Sequence, residues 1–149
     1  MTASTRRPVP RVAPAPDELT AGFWDAASRG ILAIQRCATC SVYQHPPQPI
    51  CTSCGAERGP FAEVSGRARL VSWTITHHPV VSALADELPY VCLVVELVEQ
   101  DGLWLVSDRL GMAADVGDLR VGMPMRATFD VSAGDVVLPQ FVPDAEVAP

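Results

Sequence analysis

The chain has 149 residues and a formal net charge of −6, and all eleven of its basic residues are arginine. The lack of lysine excludes Schiff-base chemistry and a phosphate-loop lysine, and the acidic balance opposes a nucleic-acid partner, whose affinity rests on neutralised phosphates. Hydrophobic residues make up 48% and charged residues 19%, which fits one medium domain, or two small ones sharing a core, rather than a disordered chain.

Residues 1–16, with four prolines and three arginines, read as a flexible arm. Their basic residues lack the apolar run of a signal peptide, and no stretch reaches the ~18 apolar residues of a membrane span. The expected location is the cytoplasm, where thiols stay reduced and close cysteine pairs mean metal more often than disulfide.

Asp17 to Gly30 reads as a short helix, capped by Asp17 or Thr20 and ended by Gly30, with Phe23, Trp24, Ala27 and Ile31 near one side. Ile31 to Cys37 leads as a strand into a cysteine-rich segment, and Val42 to His45 is a second short strand. Phe61 to Val64 starts a further strand, and Arg67 to His78 continues that sheet. In RLVSWTITH, Val71, Trp73 and Ile75 face one way while Ser72, Thr74 and Thr76 face the other. Pro79 to Pro89 reads as a long loop. Tyr90 to Leu97, the turn Asp101-Gly102 and Leu103 to Leu110 form a hairpin. Gly111 to Gly122 reads as loop with one helical turn, and Met123–Val131 and Val136–Val142 close the chain as two more strands. About five strands with an insert between the third and fourth match either a small Greek-key barrel of the OB type or a β-sandwich.

The segment CATCSVYQHPPQPICTSC holds four of the five cysteines, spaced Cys37-x2-Cys40-x10-Cys51-x2-Cys54. Each C-x-x-C pair turns two sulfurs toward one point, and four thiolates around one ion make a closed structural zinc site with no position left for substrate. One iron in the same shell, two disulfides and a redox pair are the competing readings. Because eighteen residues with three prolines cannot bury a core, the metal supplies folding free energy on the order of 10 kcal/mol and stiffens the segment. His45 lies inside the knot, but the cysteines fill the shell, so it reads as a loop residue. Cys92, in YVCLVVEL, reads as a small buried hydrophobe.

No catalytic constellation emerges. His77-His78 closes a strand, the serines lack a nucleophile elbow, and the carboxylates show no pairing. The expectation is a binding or assembly role rather than an enzyme.

The runs FWDAASRGILAIQRCATCSVYQHPPQPICTSCGAE, VSGRARLVSWTITHH, PYVCLVVELVEQDG and LRVGMPMRATF resemble the zinc-ribbon plus OB-fold proteins associated with acyl-CoA metabolism. The likeness runs from about Leu19 to Val142. It implies a mainly β protein with an N-terminal helix, a rubredoxin-like zinc ribbon and a C-terminal five-stranded OB barrel. The corresponding division is an arm at 1–16, helix and lead-in strand at 17–36, ribbon at 37–60, OB domain at 61–143 and a tail at 144–149. The resemblance further implies structural zinc on Cys37, Cys40, Cys51 and Cys54, and no catalytic residues of the chain's own. Its implied partner is a thiolase-superfamily enzyme, such as a thiolase or a lipid-transfer-protein-like aldolase that shortens steroid side chains as CoA thioesters, with acyl-CoA near the shared interface. In some members the module is fused to a hydratase subunit, and the arm at 1–16 reads equally as a linker from such a parent or as a natural start.

Phe23, Trp24 and His45 are the candidate partner contacts. Arg36, Arg67 and Arg69 are candidates to assist CoA phosphates, against a plainer reading as surface charge. The rival functions are an OB-fold nucleic-acid binder, a stand-alone acyl-CoA hydratase or thioesterase, and an iron electron carrier.

Overall fold

The computed structural model describes residues 13–78, 82–109, 117–133 and 135–144. One helix, α1 (Ala21–Ser28), precedes eight strands: β1 (Ala33–Arg36), β2 (Tyr43–Gln44), β3 (Phe61–Glu63), β4 (Arg67–Thr76), β5 (Tyr90–Leu97), β6 (Trp104–Arg109), β7 (Pro124–Ala133) and β8 (Val136–Pro143).

α1 is shorter than the sequence suggests because its first turn is given to a cap. Asp17 Oδ1 accepts from both the N–H and the hydroxyl of Thr20, at 2.8 and 2.6 Å, and these bonds hold the Asp17 carboxyl below its ordinary value. The helix ends as the Gly30 signal predicts. Gly30 has φ +73, its N–H donates to Ala27, and the Ile31 N–H donates to Ala26. That is a Schellman ending, which glycine adopts without a Cβ penalty.

Two sheets follow, ordered β2-β1-β3 and β6-β5-β4-β7-β8, and all pairings are antiparallel. Phe61–Glu63 is a strand as expected, but it pairs with β1, with Ile34 opposite Ala62. It therefore completes the small sheet instead of opening the large one. The segment entering the barrel is thus stitched to the ribbon before β4 begins.

β4 changes phase in mid-strand. Ala68 and Leu70 are buried, a bulge falls between Leu70 and Ser72, and beyond it Val71, Trp73 and Ile75 are the half-buried positions. One extra residue rotates the following side chains to the other face. In β5, Val91, Leu93, Val95 and Leu97 point inward, while Cys92, Val94 and Glu96 are half-buried on the outer face. Cys92 is therefore not fully buried as its apolar neighbours suggested. Its Sγ sits 3.9 Å from Thr76 Oγ1.

The ends of the large sheet meet through side chains. Ser107 Oγ on β6 donates to Gln140 Oε1 on β8 at 2.6 Å, Gln140 Oε1 also accepts from the Asp108 N–H, and the Phe141 N–H donates to Ser107 Oγ. This seam closes the five strands into the OB-like barrel. One buried cluster runs through the whole: Leu70, Leu93, Val95, Leu105, Met125 and Phe141 from the barrel, Leu32 and Ile34 from the ribbon, and Phe23 from α1. Within the segment read as a long loop, Ser82–Glu87 forms a 3-10 helix, while Pro79–Val81 lie outside the described residues, as do residues 110–116 of the later insert.

Candidate metal centre and the adjoining pocket

The two cysteine pairs fold as matched knuckles. In the first, the Cys37 N–H donates to Val42 and the Ser41 N–H to Cys37. In the second, the Cys51 N–H donates to Ala56 and the Gly55 N–H to Cys51. Ser41 (φ +63) and Gly55 (φ +73) occupy equivalent left-handed positions, so the turn needs that backbone in both copies and only one of them uses glycine. The return strand reaches the metal side through Gly59, where a Cβ would collide with the Arg36 carbonyl oxygen.

All four Sγ atoms lie within 4.8 Å of one another, with Cys37–Cys54 and Cys40–Cys51 each at 3.6 Å. Sulfurs about 2.3 Å from a shared zinc stand about 3.8 Å apart, so the cluster already has the size of a tetrahedral shell. Its protonation tells the same story. The Cys40 N–H holds the Cys37 thiol down to about 6, and the N–H groups of Cys54 and Ser53 lower Cys51. On Cys54 the Ala56 N–H pulls downward, but the Cys40 thiol, partial desolvation and the other two sulfurs outweigh it and push the thiol up to about 12. Four crowded thiols cannot all ionise unaided, and a divalent cation that replaces their protons removes the conflict. The donor set and spacing fit a structural zinc ion held by Cys37, Cys40, Cys51 and Cys54.

Buried amides fix the knuckles to their surroundings. Gln35 Oε1 accepts from Gln44 Nε2 at 2.6 Å and from the Gln48 N–H, and Gln35 Nε2 donates to the Gln48 carbonyl. Gln44 Oε1 in turn accepts from the Thr52 N–H. Gln100, in the β5–β6 turn, pairs with the edge of β2 as a strand would. Its Oε1 accepts from the Tyr43 N–H at 2.8 Å and its Nε2 donates to the Tyr43 carbonyl at 2.9 Å. Beside it, Glu99 Oε1 accepts from the Ser65 N–H. Nothing in the sequence marks these glutamines as structural, since polar residues in short strands read as solvent-facing.

Phe23, Trp24 and His45 come together as a group. The rings of Phe23 and Trp24 meet edge-on at 4.8 Å, and Phe23 lies 5.4 Å from His45. Phe23 is only 7% exposed and belongs to the core, so it holds α1 down and is not itself a surface anchor. Trp24 and His45 are half-buried and line a cavity of about 330 Å³, together with Pro47 from the ribbon, Leu105 and Val106 from β6, and Leu138 and Pro139 from β8. Burial lowers the His45 imidazole from its ordinary value, so the cavity is lined without charge near neutral pH.

The arginines are separate from it. Arg36 Nε donates to the Ser41 carbonyl and its guanidinium lies 5.3 Å from the Tyr43 ring. Arg69 pairs with Glu96, and Arg67 lines a different cavity with Arg126. His77 and His78 are exposed. No helix among the described residues is long and apolar enough to cross a membrane.

Two family descriptions match the chain: the rubredoxin-like zinc ribbon domain of ChsH2 over residues 24–58, and the C-terminal OB-fold domain of ChsH2 over residues 61–130. A chain of the solved Ltp2-ChsH2(DUF35) aldolase is 36% identical, with a TM-score of 0.73 over 87% of this chain and 98% of that one. The chain belongs to the ChsH2 family. Its fold is therefore the ribbon-plus-OB arrangement that the resemblance implied. Among curated relatives, a probable enoyl-CoA hydratase alpha subunit of Thermomonospora curvata is 38% identical over 122 residues, 81% of this chain and 36% of the relative. The 3-oxo-4,17-pregnadiene-20-carboxyl-CoA hydratase alpha subunit of Mycobacterium tuberculosis is 34% identical over 110 residues, 74% of this chain and 33% of the relative. The chain thus spans about a third of the length of these curated relatives. A DUF35-family protein of unknown function from Sulfolobus solfataricus shares the fold at 14% identity, with a TM-score of 0.57 over 85% of this chain and 86% of that one.

Proposed function

We propose that this ChsH2-family chain is a non-catalytic accessory subunit that binds and stabilises a thiolase-superfamily enzyme acting on acyl-CoA thioesters, in steroid side-chain degradation. The observation that carries the reading is the match to the aldolase. The solved chain of the Ltp2-ChsH2(DUF35) aldolase is covered over 98% of its length at 36% identity, so its fold has a counterpart here along nearly the whole of that chain. The steroid-CoA name of the M. tuberculosis relative supports the substrate class. In this reading zinc sits in the ribbon, the partner holds the reacting groups, and Trp24 and His45, held in place by Phe23, are among the partner contacts. Acyl-CoA lies at the shared interface, in a reducing cytoplasm that keeps the four thiols available to metal.

The test is co-expression with a thiolase-like enzyme from the same organism, followed by size-exclusion chromatography and an assay for carbon–carbon cleavage of a β-hydroxyacyl-CoA thioester. Co-elution, with partner activity or solubility lost when the chain is omitted, is expected. A partner fully active and soluble alone, or turnover of a thioester by this chain alone, sinks the reading. A nucleic-acid role draws no support from the barrel. The outer faces of β5 and β6, on the strands that OB folds use for oligonucleotides, carry Cys92, Val94, Glu96, Trp104, Val106 and Asp108, with no arginine among them.

A further inference from the structure

The register of β4, β5 and β6 lays out the outer face of the barrel row by row. Arg69, Glu96 and Trp104 form one row, and Ser72, Val94 and Val106 form the next. Arg69 and Glu96 pair with each other, and the Trp104 indole N–H donates to Glu96 Oε1 at 3.2 Å. The charges of the first row are therefore internally matched, and the indole is fixed in place rather than free to rotate. What remains outward is apolar and preorganised: Trp104 is 55% exposed and Val106 is 75% exposed. Large apolar side chains displayed together on a sheet face mark a surface that another molecule covers.

Val106 also lines the uncharged cavity bordered by Trp24 and His45. The strip on the sheet and the cavity at the helix–ribbon junction are thus one surface that passes from barrel to ribbon without a charged residue between them. We propose that this continuous surface, Trp104 and Val106 of β6 running into the cavity beside Trp24 and His45, docks the thiolase-like partner, with an apolar side chain of the partner seated in the cavity. The inference rests on the proposed function and extends its interface from the helix and ribbon onto the barrel. A protein occupant is favoured because the partner-bound relative is matched over 98% of its chain, so in that assembly the docking surface lies within the part these two chains share. The arginine of this face, Arg69, is already paired with Glu96, which argues against a phosphate-bearing occupant.

The experiment measures binding of the zinc-loaded full chain to two probes, the thiolase-like enzyme of the same organism and the Ltp2 subunit of the related aldolase, by calorimetry. Val106→Glu places a charge on a side chain that is exposed in the free chain, so folding is expected to survive, as checked by zinc content and melting temperature. It is expected to weaken binding at least 100-fold, and Trp104→Ala about 10-fold, as for anchors near the centre of an interface. Val121→Glu, at an equally exposed valine outside this row (71%), should bind like the parent. Parent-like binding by both Val106→Glu and Trp104→Ala, with the parent chain bound tightly, overturns this surface and leaves the proposed function standing. Failure of the parent chain to bind either probe overturns both. A free chain that dimerises through Val106, with partner affinity unchanged in Val106→Glu, assigns the face to a second copy and overturns the proposal as well.

Discussion

Replacing Gln100 by alanine should loosen the ribbon from the barrel without touching a metal ligand. The side chain makes two hydrogen bonds to the backbone of Tyr43, at 2.8 and 2.9 Å, and Tyr43 is half-buried. Each such bond contributes about 1 kcal/mol net, and a polar group left without a partner costs about 1–3 kcal/mol where water cannot replace the amide. The expected loss is therefore about 2–3 kcal/mol, a sizeable share of the roughly 5–15 kcal/mol that holds a domain folded. At a urea slope of about 1.5–2 kcal/mol/M, the midpoint should fall by about 1–2 M. The Tyr43 amide should exchange with solvent far faster than in the parent, while amides inside the β5 ladder slow or quicken only with global stability. Gln100→Glu is the informative companion. It keeps an acceptor for the Tyr43 N–H and loses the donor to the Tyr43 carbonyl, so it should fall between parent and alanine. An unchanged urea midpoint and an equally protected Tyr43 amide in Gln100→Ala would refute the idea that this amide clasps ribbon to barrel.

The purified chain should carry one zinc per polypeptide by elemental analysis, and Cys51→Ser should lose it and the protection of the ribbon amides while far-ultraviolet strand signal from the barrel persists. Ser41→Gly should raise stability by about 0.5–1 kcal/mol, because it relieves a left-handed serine at the position where the second knuckle already uses glycine; a drop in urea midpoint would count against the matched-knuckle reading. His45 has a depressed folded-state value from burial, and its cavity neighbours carry no charge. The unfolded chain therefore takes up the His45 proton first, near pH about 6.5, and this contribution to stability is present above that value and fades as pH falls through it toward the folded value. The parent should lose more stability than His45→Phe between about pH 8 and about pH 5.5, and equal losses would show that the imidazole is not desolvated.

The metal centre was legible because it is local: eighteen residues fix four sulfurs, and tertiary context is not needed to bring C-x-x-C pairs together. The barrel strands were legible from period-two alternation. The bulge in β4 was written in the sequence as well, since Ala68 and Leu70 share one parity while Val71, Trp73 and Ile75 share the other. A strict count of buried parity along the strand finds it. The pairing of Phe61–Glu63 with β1 was not legible, because both sheets accept such a strand and only long-range packing decides between them. The same holds for Gln35, Gln44 and Gln100, whose partners are backbone groups of distant segments. Phe23, Trp24 and His45 do lie together, but composition alone cannot say which aromatic of an adjacent pair turns inward.

The cavity beside Trp24 ties the metal centre to the surface of the barrel. Its walls come from three segments: α1, the proline-rich return between the knuckles, and strands β6 and β8. The first is pinned by Phe23 in the common core, and the last by the Ser107–Gln140 seam. The return meets that core through the His45 ring, 5.4 Å from Phe23, and is tied down further by its neighbours. His45 and Pro47 sit between Cys40 and Cys51, and their placement depends on the two knuckles being drawn to one point, on the Gln35–Gln44–Gln48 bonds, and on the Gln100 clasp to Tyr43 just ahead of them. Zinc held by the four cysteines would therefore act on the surface through geometry: it would fix the third wall of a pocket whose other two walls come from α1 and from the barrel.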